Sequence, residues 1–185
     1  MEKAKPTGAE MIMDLGMGPS SYLPNFFPHQ QRIIGVDILF NSVRIAKGKG
    51  LKVVQADATR LPFKSRSVDV VFSNSLIEHI SESAQKDLAC EILRVFKRGF
   101  FIQTPEKKFP IEPHWRIPFI QFLSHSLAKF IWRFVPKSLK WYPSQEFERI
   151  SYVSSSRLKS LFPGSTLVVE RFLLIPKSLI VFTSL

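Results

Sequence analysis

The fold class predicted for this chain of 185 residues is a doubly wound α/β domain with a mostly parallel, seven-stranded sheet. Three observations predict it. Short apolar runs alternate with helical stretches from Met11 to Thr104. Several runs are continuous Ile, Val and Phe, as strands buried on both faces of a parallel sheet require. Two further strand-like runs near the C-terminus are separated only by a short turn containing "IPK", so they are expected to pair as an antiparallel hairpin.

The elements follow in order. Strands are expected at Met11 to Asp14, Arg32 to Asp37, Leu51 to Gln55, Val68 to Ser73 and Gly99 to Thr104. Helices are expected at Pro19 to Phe26, Leu39 to Lys47 and Ser83 to Phe96. Pro19 suits a first helical position, while Pro24 and Pro28 keep that helix to about two turns. In the third, Leu88, Ile92, Leu93 and Phe96 share a core-facing spacing. Strand–helix alternation of this kind implies right-handed crossovers. Beyond Thr104 the alternation stops, and residues 105–150 form an aromatic, basic insertion within what is otherwise one domain, 1–185. Its "IPFIQFLSHSLAKFIWRF", Ile117 to Phe134, predicts one long helix. A helix at Ser154 to Leu161 then leads through "FPG" to the hairpin strands "STLVVERFL" and "SLIVFT".

Composition excludes several classes. With 45% apolar and 22% charged residues the chain is an ordinary globular one, long enough to bury a core. A single cysteine, Cys90, makes no internal disulfide. The N-terminus has no apolar signal region and no run is long enough to span a bilayer, so a cytoplasmic protein is expected. The net charge of +11 suits an anionic partner.

In an open parallel sheet, ligands bind beyond the C-terminal strand ends. There the sequence "MDLGMGPSSY" puts Asp14 before Gly16 and Gly18, a tight turn that a ligand can approach. Asp37 ends the second strand and can accept both hydroxyls of a ribose. Asp57 follows the third strand, and Ser73 and Asn74 end the fourth. A dinucleotide site wants G-x-G-x-x-G, but the run from Gly16 is G-M-G-P-S-S. Asp14 would also repel a pyrophosphate. It suits a ligand carrying an amino group and a sulfonium, which favours S-adenosylmethionine over NAD.

"MDLGMGPSSY", "IIGVDI", "VQADATRLPF" and "VDVVFSNSLIEHI" together resemble the successive motifs of class I S-adenosylmethionine-dependent methyltransferases, in the type-11 or ubiquinone-biosynthesis-like branch. The likeness covers about Met11 to Thr104, and the C-terminal hairpin fits that Rossmann-like fold. It implies S-adenosyl-L-methionine as cofactor, with Asp14, Gly16 and Gly18 at the methionine moiety. Asp37 would take the ribose, Ile38, Asp57 and Ala58 the adenine, and Asn74 with Ser75 would line cofactor and acceptor. There are departures: Ser20 stands for the third glycine, and "FKRGFF" for the usual K-P-G-G turn. Quinone O-methyltransferases of the branch hold a metal through E-x-x-E-H. Here Glu78 and His79 match, but Ser75 replaces the first Glu, so no metal is expected.

His79 and His114 are the candidate catalytic bases, since imidazole titrates near neutrality. For both, a structural role outweighs the catalytic one. Glu112, His114 and Trp115 follow the fifth strand, on the acceptor side. Cys90 is expected in the core. From Ile117 to Phe134, Gln121, His125, Lys129 and Arg133 recur every fourth residue on an otherwise apolar helix, which reads as a substrate lid or as an interfacial helix. Residues 107–140 hold seven Lys or Arg and one Glu, so peripheral membrane contact through 117–140 is the rival to the lid. The expected activity is methyl transfer to a small-molecule or lipid-linked acceptor; the alternative is a non-catalytic binding module of the same fold. Nucleic acid is disfavoured, because "SNSL" follows the fourth strand where adenine-methylating relatives carry a Pro-Pro pair.

Overall fold

The computed structural model describes residues 10–183 apart from 22, 26, 28–29, 112–113, 115–116, 136–146 and 148–149. Glu112, Trp115, Lys137 and Lys140 therefore lie outside the described residues. Among the described residues there are seven strands: β1 (Ile12–Leu15), β2 (Ile33–Asp37), β3 (Lys52–Gln55), β4 (Val68–Asn74), β5 (Phe96–Pro105), β6 (Thr166–Phe172) and β7 (Ile175–Phe182). They form one sheet in the order β3-β2-β1-β4-β5-β7-β6. β1 to β5 are mutually parallel, and β7 runs antiparallel to both β5 and β6. The strand order reverses between β1 and β4, which is where a crevice opens in sheets of this kind.

Alternation along the strands assigns the two faces. Met13 and Leu15 of β1, Val36 of β2 and Val71 of β4 enter the larger core, against helices α2 (Gln85–Val95) and α4 (Ser155–Leu161) and the ring of Phe162. Ile12, Ile33 and Val70 point to the other face, where Leu23 and Phe27 cover them. Each fully buried Leu, Ile or Phe contributes about 1.5–3 kcal/mol relative to exposure. A one-residue slip of β1 would withdraw Met13 and Leu15 from the larger core, so burial fixes its register. α1 (Phe40–Gly48) packs beside β2 and β3, and α3 (His125–Phe134) belongs to a small separate cluster of Ile120, Ala128 and Trp132.

Four local expectations need correction. Between Pro19 and Phe26 the described residues form only the 3-10 turn Leu23–Asn25, as two prolines within a few residues leave no room for an α-helix. The long helix begins at His125 rather than Ile117. Upstream, Pro118 bridges to Ile111, Phe119 takes a left-handed φ of 62°, and the Gln121 amide donates to the Phe109 carbonyl at 2.5 Å. Ser124 then caps α3 by accepting the Leu127 N–H. The hairpin reverses at Leu173–Leu174, with Leu173 at φ 56°, and "IPK" belongs to β7. Pro176 is tolerated there because it stands beyond the β5 ladder and next to the bulge that Lys177 makes in β7, between the pairs Glu170↔Ser178 and Arg171↔Pro176. Cys90 is exposed: the buried face of α2 is Leu88, Ala89, Ile92 and Val95, and Cys90 lies one position past it.

Candidate functional site

The turn after β1 is shaped by two glycines with positive φ, 76° at Gly16 and 62° at Gly18. The Gly16 N–H donates to the Val36 carbonyl at 2.8 Å, which ties the turn to β2. A Cβ on Gly16 would stand 2.9 Å from Leu76, so the turn and the segment after β4 are in close contact. At Gly18 nothing lies within 4 Å of a Cβ position, so the backbone there is open to a ligand.

Asp37 closes β2 and is buried. Its Oδ2 accepts the Gly18 N–H and its Oδ1 the Leu39 N–H, each at 2.8 Å. Two backbone donors orient the carboxylate, and each oxygen keeps a lone pair for a further donor. Asp57 is exposed. Its Oδ1 accepts the Thr59 N–H at 2.8 Å and the Thr59 hydroxyl at 2.7 Å, and these bonds hold its carboxyl below the usual range. The loop bearing Asp57 is anchored at both ends. The Ala56 N–H donates to the Asp37 carbonyl at 3.0 Å. Arg94 on α2 donates to the carbonyls of Phe63 and Leu61.

Asp14 is only 4% exposed. Burial raises its ionisation to about 6 from the ordinary 3.8; the Ser21 hydroxyl, which donates to it, pulls the value down, and the Asp37 carboxylate pushes it up further. Asn74 ends β4, half-buried, and its Oδ1 accepts from the Ser75 hydroxyl at 3.4 Å.

Some of these groups border an open crevice at the strand ends. Of the residues expected there, Gly16, Asp37, Ile38, Asp57 and Ala58 line it. Asp14, Gly18 and Asn74 do not line it; Asp14 is turned toward Ser21. Leu15, Val36, Ala56, Leu76 and Ile80 complete the wall and were not singled out from the sequence. The only signal for Leu76 and Ile80 was the apolar pair inside "SLIEHI", directly after the fourth strand.

Between Leu76 and Ile80 lies the 3-10 turn Ile77–His79. It brings Glu78 and His79 beside His114, the two imidazole Nε2 atoms being 3.1 Å apart. Against the expectation of no metal, Glu78, His79 and His114 form a group that could hold one.

Residues 13–102 match a family model described as a methyltransferase domain, of the type-11 family. Over that stretch, just under half of its length, the chain is similar to methyltransferase domains. A tRNA (carboxymethyluridine(34)-5-O)-methyltransferase of Arabidopsis thaliana is 35% identical over 101 residues, 52% of this chain and 24% of that protein. A demethylmenaquinone methyltransferase of Thermobifida fusca is 30% identical over 112 residues, 56% of this chain and 47% of that protein. The chain thus spans about a quarter to a half of the length of these relatives. The fold recurs in a solved protein of Pyrococcus horikoshii, with TM-score 0.66 and 17% identity over 98% of this chain and 82% of that one. A methyltransferase structure from Mesorhizobium loti has TM-score 0.64 and 16% identity, over 98% and 93%. The oriented Asp37 carboxylate, the open backbone at Gly18 and the crevice beyond β2 and β3 are the groups that could hold a ligand bearing hydroxyl donors and a flat ring.

Proposed function

We propose that the domain methylates a small-molecule or lipid-linked acceptor, which it meets at a membrane surface. In this reading Asp37 receives the cofactor's ribose hydroxyls, and Ile38, Asp57 and Ala58 face the adenine. The turn at Gly16 and Gly18 holds the methionine end, with Asp14 and Asn74 behind it. S-adenosylmethionine, when bound, supplies a methyl already activated by its sulfonium. The protein's contribution is then chiefly positional, keeping acceptor and methyl in attacking geometry and excluding water. His79 and His114 stand beside Leu76 and Ile80, on the acceptor side, where an imidazole can take a proton.

One observation carries the lipid-facing part: beside the buried Ala128 and Trp132, α3 keeps a second apolar side exposed. Leu127, Phe130 and Phe134 recur along one side of the helix, Phe134 being 73% exposed, and Lys129 and Arg133 are exposed among them. Phe119, Phe122 and Leu123 extend this surface upstream. The turn of the hairpin adds Leu173 and Leu174, joined to the same region by the ring of Phe172 against Phe109. Aromatic and aliphatic side chains beside lysine and arginine match the headgroup layer of an anionic membrane. The rival acceptor is tRNA, favoured by the net charge of +11 and the Arabidopsis relative. Exposed phenylalanines and leucines beside the cations favour lipid over a phosphate backbone alone.

Co-sedimentation with anionic vesicles, neutral vesicles and tRNA tests this, comparing wild type with Lys129→Gln/Arg133→Gln. Each cation near an anionic surface contributes about 1 kcal/mol, so the double variant should partition roughly thirty-fold less. Added salt should mimic the substitution. Binding to tRNA together with indifference to vesicles would replace the lipid reading by the nucleic-acid one.

A further inference from the structure

We propose that Glu78, His79 and His114 bind a divalent transition-metal ion beside the cofactor crevice. Each ligand is placed by a different part of the fold. Glu78 and His79 follow β4 in the 3-10 turn, anchored by the fully buried Ile77. The Gln85 amide donates to the carbonyls of Ile77 and Ile80, and the Ser151 N–H to that of Glu78 at 2.7 Å. His114 arrives from the segment after β5, 35 residues along the chain.

The polar atoms at the centre ask for a cation. Glu78 is completely buried. Its Oε2 accepts the Thr104 hydroxyl at 2.9 Å, but its Oε1 has no hydrogen-bond partner among the described residues. A buried carboxylate oxygen left without a donor is costly. His114 Nε2 lies 3.5 Å from that oxygen and 3.1 Å from His79 Nε2. One hydrogen on His114 cannot make good bonds in both directions. A cation between the three atoms receives a lone pair from each.

The spacing fits. Two imidazole nitrogens bound tetrahedrally to Zn²⁺ at 2.0–2.1 Å stand roughly 3.3 Å apart. Here they are 3.1 Å apart, with the rings nearly perpendicular at 87°, and all three ligand atoms lie within 4.8 Å of one another. Two imidazoles and one carboxylate suit Zn²⁺, Co²⁺ or Fe²⁺ rather than Mg²⁺ or Ca²⁺, which prefer oxygen-only shells. Such a set leaves at least one coordination position open. Thr104 orients the carboxylate from behind, as outer partners of metal ligands commonly do. Because the turn is bracketed by the crevice-lining Leu76 and Ile80, the ion would draw an oxygen-bearing acceptor toward the methyl; this last clause alone rests on the proposed function.

Untagged, metal-stripped protein is titrated with Co²⁺, followed by its visible d–d bands, and with Zn²⁺, followed by calorimetry. One ion per chain is expected, with Co²⁺ bands typical of a four- or five-coordinate nitrogen–oxygen site. His79→Ala and His114→Ala should each weaken binding at least tenfold, Glu78→Gln should do the same while preserving shape, and Lys86→Gln on the exposed side of α2 should leave metal affinity unchanged. Thermal melts establish that each variant is folded. Folded wild type that binds neither ion, or affinity unchanged in folded His114→Ala, overturns the site and leaves the two imidazoles sharing a proton. Metal binding is read without cofactor, so failure of the methyltransferase reading would leave this result standing.

Discussion

Asp14 should make the protein less stable as pH rises through the weakly acidic range. Its carboxyl is buried beside the Asp37 carboxylate and ionises at about 6, whereas in the unfolded chain it ionises near 3.8. Between those values the native state holds a proton that the unfolded state has released. Stability therefore falls with pH across this window, and what the protonated group contributes is lost once pH passes the folded value. At about 1.36 kcal/mol per pH unit, the gap corresponds to roughly 3 kcal/mol, of which about 2 kcal/mol falls between pH 4.5 and 7. Asp14→Asn keeps the size and the acceptor for Ser21 but has nothing to ionise. Urea unfolding of both proteins at half-unit steps from pH 4.5 to 7.5 isolates the residue, because other titrations largely cancel in the difference. The stability of wild type minus variant should drop by about 2 kcal/mol between pH 4.5 and 7. A difference flat to within about 0.5 kcal/mol would refute the buried, repelled carboxyl.

Two further outcomes follow from the crevice. Asp37→Ala removes a carboxylate acceptor for two ribose hydroxyls, and two charge-assisted bonds at ~1.5–3 kcal/mol each imply at least a tenfold loss of S-adenosylmethionine affinity by calorimetry. Wild type without measurable binding at millimolar cofactor would contradict the site itself. Gly16→Val forces a β-branched residue to φ 76° and drives its Cβ to 2.9 Å from Leu76. With ~1–2 kcal/mol for the left-handed backbone alone, it should lose cofactor binding and melt several degrees lower. Wild-type affinity in that variant would place the ligand elsewhere.

Where side chains answer to local rules, the sequence was readable. Apolar runs located the seven strands to within a few residues; in β1, β2 and β4 they reflect burial on both sheet faces, while the edge strands β3 and β6 are partly exposed. The carboxylates Asp37 and Asp57 were found because strand ends in such a sheet converge. Local rules failed where distant residues decide. The apolar period from Ile117 onward is helical, yet Gln121 capturing the Phe109 carbonyl and Pro118 bridging to Ile111 hold the first third out of the helix. Asp14 looked like a wall of the crevice, but it points to Ser21, six residues beyond its neighbour Leu15. The meeting of His79 with His114 had no signal in either segment, since only the parallel placement of β4 and β5 brings the residues after them together.

The position of β7 also governs how the chain behaves before it is fully folded. β5 is covered on one side by β4 and on the other only by β7, whose partners are far along the chain, as in Phe101↔Phe182. Until the hairpin docks, β5 offers a long unpaired edge carrying Phe100 and Ile102, a template for another molecule's strand. Once it has docked, the free rims are β3 and β6. β3 is only four residues long with Lys52 and Gln55 exposed, and the pairing of β6 is interrupted at the charged pair Glu170 and Arg171, where β7 carries one extra residue, Lys177. Both are poor templates. Substitutions that loosen the hairpin should therefore show themselves first as aggregation during synthesis or refolding, ahead of any fault in the crevice on the far side of the sheet.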